Sequence, residues 1–186
     1  MKKFILIAAS AILAVSAYAQ TPKFAYVNFT ELVQLMPAAD SARAQLDAQG
    51  KAFEEAYQDM IEEFEAKSQQ YQQKASTWTA SIREAKEREL NDFQTRIQAF
   101  GQNAQQELAQ SQNQLMAPIQ QRAMDVVNKL AKDGGYAMVF DQSQFIYAND
   151  AQVTNLTAAA RKQLGIPDSR TMESLQAELQ ARAQQQ

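Results

Sequence analysis

The sequence predicts a mainly α protein with a small β body, in which a long antiparallel helical hairpin, a coiled-coil arm, projects from a short-stranded sheet. Three observations predict it. Between residues 39 and 133 the only Pro is Pro118, and Ala, Gln, Glu, Lys and Leu dominate, which is the composition of helix. Apolar residues in that span recur in alternating steps of three and four, the spacing of a coiled-coil seam. Short aromatic and β-branched runs flank the span at 23–29 and 136–148. Five Gly and four Pro in 186 residues are few for a compact globule of many turns, so the shape is elongated.

Residues 1–19 begin with Lys2 and Lys3, continue with an apolar run from Phe4 to Val15, and end in Ala17-Tyr18-Ala19. This is the layout of a bacterial secretory leader cleaved after Ala19, and the apolar run is short of the ~20 residues that a membrane span needs. The expected destination is the periplasm. No Cys follows the leader, so no lipoprotein anchor is expected. Loss of Lys2 and Lys3 leaves 16 basic against 21 acidic residues, a mature charge of about −5. Non-specific nucleic-acid binding needs the opposite sign. The absence of Cys and His removes thiolate nucleophiles, imidazole bases, disulfides and zinc clusters. No catalytic residue, cofactor site or metal site is expected.

The run 23–29 reads as a first strand. A short helix follows, with Thr30 as N-cap and Pro37 as its stop. Residues 20–38 and 134–166 are then the body, and 39–133 the arm. Four hydroxyl residues and Trp78 interrupt good helix formers at 75–81, which marks the arm's tip. Before the tip, Phe53, Tyr57, Met60, Phe64, Tyr71, Ala75 and Trp78 keep the seam spacing, with Lys67 at the one seam position that is not apolar. After it, Leu90, Phe93, Ile97, Phe100, Ala104, Leu108, Ser111 and Leu115 do the same. An arm of roughly 50 to 60 Å results. Gly50, Gly101 and Pro118 weaken or bend its helices.

Gly134 and Gly135 supply a C-cap. Residues 136–140 and 145–148 then read as a β-hairpin about a polar turn. A helix over 156–164 follows, with Asn155 as N-cap and residues 165–167 as its end. The remainder, 167–186, is a polar tail with a short exposed helix. Three short strands make a marginal sheet with open edges, which burial between subunits would remedy. The oligomerisation candidates are Phe24, Tyr26, Val27, Phe29, Met138, Val139, Phe140, Phe145, Ile146 and Tyr147.

The order strand, short helix, helical hairpin, strand pair, short helix resembles the Skp (OmpH-like) family of periplasmic chaperones. The segments that carry the resemblance are "KFAYVNFTEL" at 23–32, "YAMVFDQSQFIYAND" at 136–150 and "NLTAAARKQL" at 155–164. The resemblance implies a jellyfish-like homotrimer whose arms surround a cavity for an unfolded outer-membrane protein. It also implies a holdase that works without ATP and catalyses no covalent reaction. Basic members of the family carry Arg and Lys where residues 97–121 here hold Glu107 as their one charge, and no lipopolysaccharide site is carried over.

On this reading, Phe53, Tyr57, Phe64, Tyr71, Trp78, Phe93 and Phe100 pack the seam and offer distributed client contacts through their edges. The cluster Glu54, Glu55, Asp59, Glu62, Glu63 and Glu65 is a solvated helix face, with a second reading in which these carboxylates line the cavity and keep it wet. Lys74, Arg83, Lys86 and Arg88 solubilise the tip, with weak contact to an anionic membrane surface as their second reading. The alternative to a holdase is a structural coiled-coil envelope scaffold that binds one fixed partner.

Overall fold

The computed structural model describes residues 22–184, so the leader expected at 1–19 lies outside the described residues. Strand β1, Lys23–Val27, stops two residues short of its expected end, because Phe29 already opens helix α1, Phe29–Leu35. The cap is Asn28 rather than Thr30. Its side-chain oxygen accepts the Glu31 N–H at 3.0 Å, and its amide donates back to the Glu31 carboxylate at 3.2 Å. Pro37 holds Met36 extended and so ends α1, but it is itself the first residue of α2, Pro37–Lys74. A residue without an N–H fits the first helical position, whose N–H has no intrahelical partner.

Helix α3, Ala80–Gly134, returns from the tip, where Thr79 caps it by accepting the Ile82 N–H at 3.4 Å. The two helices run to ~57 Å and ~82 Å. The extra length of α3 is what reaches the body, where Ile119, Ala123 and Val127 are buried. Gly135 ends α3 in the left-handed region at φ 65°, as a C-cap requires. Gly134 is needed for a different reason: a Cβ there would lie 2.2 Å from the Tyr136 ring.

The sheet departs from the expected hairpin. Strand β2, Tyr136–Asp141, and strand β3, Val153–Asn155, both pair in parallel with β1, in the order β2-β1-β3. Residues 145–148 form no strand. The Asp141 carboxylate accepts the Ser143 N–H at 2.8 Å and its hydroxyl at 2.6 Å, which closes a 3-10 turn, Gln142–Gln144. The chain then crosses β1, and the Phe145 ring meets Tyr26 edge-on at 5.2 Å. Ala25, Tyr26 and Val27 are buried, so both edges of β1 must be paired, and β3 satisfies the one that β2 leaves.

The ladder runs on into the Leu156 N–H, which donates to the Tyr26 carbonyl at 2.8 Å before helix α4, Thr157–Leu164, begins. Asn155 does cap in part, since its side chain accepts the Thr157 N–H at 2.9 Å. Gly165 closes α4 at φ 71°. Beyond it lies α5, Met172–Ala183, opened by a reciprocal Thr171–Ser174 capping box. This helix was expected to be exposed. Instead Leu175 is buried in the common core, beside Leu32, Leu35 and Met36 of the α1 end, Ala39 and Ala42 of α2, and Ile119, Ala123 and Val127 of α3.

Candidate functional site

The arm's seam follows the spacing of the sequence. Ring pairs cross it at two levels, Phe53 with Phe100 at 6.1 Å and Phe64 with Phe93 at 6.1 Å, and at the tip Tyr71 meets Trp78 of the turn at 5.9 Å. Tyr57 lies beside Gly101 of α3, its ring 4.0 Å from where a Cβ would stand, an ordinary packing distance. Among the described residues of the outer arm, Phe93 and Ile97 are buried; Phe53, Tyr57, Phe64, Tyr71, Trp78 and Phe100 are half-buried. Two helices alone cannot enclose a seam, so the aromatic edges remain open to solvent on both sides.

Lys67 takes its seam position by pairing rather than packing. Its ammonium lies 2.7 Å from the Glu89 carboxylate on α3 and 3.5 Å from Glu63, and 5.9 Å from the centre of the Phe93 ring. Glu89 also receives Lys86 at 2.7 Å. The hydrogen bond from Lys67, joined by that from Lys86, holds the Glu89 carboxyl down at about 2. Nearer the tip, the Tyr71 hydroxyl donates to Glu87, which raises the tyrosine above its ordinary range. This polar ladder was missed except for its one legible trace, the lysine in an apolar register.

The acidic cluster from Glu54 to Glu65 is exposed along α2, and no group of carboxylates among the described residues could hold a metal ion. At the tip, Lys74 and Arg83 are exposed, while Lys86 serves Glu89 and Arg88 approaches Glu84 at 3.7 Å. Ile82 adds an exposed apolar side chain beside them.

On the body, eight of the ten sheet candidates fall into two groups, and the other two, Phe24 and Phe145, are half-buried. Tyr26 and Val27 are buried in the chain's own core, and Phe29 and Val139 pack against it. Met138, Phe140, Ile146 and Tyr147 are exposed, with Ile146 fully so. Phe24, Phe140, Phe145, Tyr147 and Val153 line an open groove of about 530 Å³, within which Phe24 and Phe140 stand 6.3 Å apart. Val153 was not among the candidates, because β3 lay hidden in a polar stretch. The outer edges of β2 and β3 carry no further strand among the described residues.

The family model for outer membrane protein (OmpH-like) matches residues 23–164. The chaperone protein Skp of Yersinia enterocolitica is 31% identical over 169 residues, covering 88% of this chain and 99% of the relative. That of Pectobacterium atrosepticum is 31% identical over 170 residues with the same coverage. The crystal structure of an OmpH-like protein from Caulobacter crescentus CB15 matches with a TM-score of 0.67 at 15% identity, over 77% of this chain and 83% of that one, which shows a common fold. With its sheet, arm and closing helix all inside the family match, this chain belongs to the outer membrane protein (OmpH-like) family.

Proposed function

We propose that this protein is a periplasmic chaperone for outer-membrane proteins, a holdase that needs no ATP and catalyses no covalent reaction. Three copies join through their sheets, and their arms surround a cavity in which an unfolded client is kept from aggregating. The leader ends at Ala19, and the mature chain works in the periplasm. The observation that carries the reading is the half-open aromatic seam. Aromatic edges at several levels of a wet, polar arm offer many weak contacts and no deep pocket, which suits a flexible client held and then released.

Trimer formation is supported by the exposed apolar side chains Met138, Phe140, Ile146 and Tyr147 beside open sheet edges, a combination that favours burial against further copies. The likeness to Skp chaperones over nearly the whole chain supports the client class. The tip's charges and Ile82 add a weak contact with anionic membrane surface.

Dilution of a urea-unfolded porin, followed by light scattering, tests the proposal. Suppression of scattering for several unrelated barrel proteins at about one trimer per client is the expected result. A scaffold for one fixed partner would leave every denatured client to aggregate, and that outcome would replace the holdase reading.

A further inference from the structure

We infer that the C-terminal segment 167–184 is a clasp that holds the root of the arm against the body and limits its swing. The family match ends at Leu164, before this segment begins. The root needs such a device. Helix α2 leaves α1 through a single extended residue, Met36, and the side chains that α2 buries at its base are Ala39 and Ala42. Alanines remove little apolar area from water, so a long lever stands on a small foot.

The clasp meets that foot in two parts, an apolar one that packs chiefly against α1 and a polar one that reaches α2 itself. Its apolar part is Leu175, buried in the same core cluster as Ala39 and Ala42, with Met172 packed against the cluster. Its polar part is a continuous chain of contacts. Arg161 of α4 pairs with Glu31 of α1 and donates to the Pro167 carbonyl at 2.8 Å and the Arg170 carbonyl at 2.5 Å, which shapes the connection into α5. Arg170 then reaches Asp40 in the first turn of α2 at 2.5 Å and Glu178 of α5 at 3.5 Å. Asp40 in turn holds Arg43, also at 2.5 Å, whose guanidinium donates to the Gln34 carbonyl of α1 at 2.9 Å. The circuit therefore returns to the helix on which it began. Arg170 Nε is buried without an acceptor, a cost that the pairing of its other two nitrogens with Asp40 and Glu178 offsets.

Hydrogen exchange of the mature protein without client tests the clasp independently of any chaperone activity. Two variants are compared with the parent chain: one ending at Asp168, and Arg170→Met, which keeps the side-chain stem but removes its donors. Exchange over residues 37–50 should accelerate about tenfold in the shortened chain and less in Arg170→Met, with β1 and the tip at 70–85 unchanged. A rise confined to the root in the shortened chain supports the clasp, whichever part carries it. An unchanged root in that chain, or a rise spread evenly over root, β1 and α4, overturns it. Should the shortened chain fail to fold, Arg170→Met decides alone by the same criterion.

Discussion

Lys67 of α2 and Glu89 of α3 meet across the arm at 2.7 Å, at the seam position where the heptad pattern calls for an apolar residue. A polar pair within an apolar seam sets register, because sliding one helix past the other by a turn would leave both charges against rings. Phe93 lies beside the pair and is also covered by the Arg96 guanidinium, 4.6 Å from its ring centre.

The pair makes the arm acid-sensitive within a defined window. Glu89 titrates at about 2 when folded, against 4.5 for the free group. Its contribution is complete above about pH 4.5 and is lost as pH falls towards 2. Lys67 is raised above 10.5, chiefly by the Glu89 hydrogen bond and against desolvation, so its share persists until pH exceeds that value. Thermal melts followed by circular dichroism should show Glu89→Gln flattening the acid limb between pH 4.5 and 2. At pH 7 the same variant should shift the melt by only a few degrees, since the two side chains are 32% and 37% exposed.

Phe93 is 3% exposed, and its truncation to Ala should cost ~3 kcal/mol, near the low end for a buried aromatic because an open two-helix seam collapses easily. The loss should stay local. Amide exchange should rise around residues 60–67 and 90–97 while β1 keeps its protection.

Ile146 and Val139 should behave differently on substitution by Asp. Ile146 is fully exposed, so Ile146→Asp should leave the monomer's circular dichroism unchanged while lowering the mass of the assembly in sedimentation equilibrium. Val139 packs against the core, and Val139→Asp should melt the body itself. An unchanged mass for Ile146→Asp would remove this face as the subunit interface.

Gly135 adopts φ 65°, where an alanine pays a backbone penalty of ~1–2 kcal/mol. Gly135→Ala should lower the melting temperature by several degrees in calorimetry without altering the arm's helicity.

Much of the arm was legible because its causes are local. Seam spacing, the hydroxyl-rich tip, and the glycine that ends α3 each act within a few residues, and the structure has each where the sequence put it. The body was harder to read, because its pairings join residues more than a hundred positions apart. "YAMVFDQSQFIYAND" has the two aromatic, β-branched runs and the polar turn of a hairpin, yet the buried β1 needed partners on both edges, and a 3-10 turn carried the chain across it instead. Likewise Leu175 and Arg170 look like parts of a polar tail until the root of α2 stands beside them. Helical periodicity was set by the sequence itself, since neighbours three and four apart make those contacts whatever else is present. Strand direction, the split between inward and outward sheet residues, and the docking of α5 were decided only when distant segments competed for the same buried edge and core.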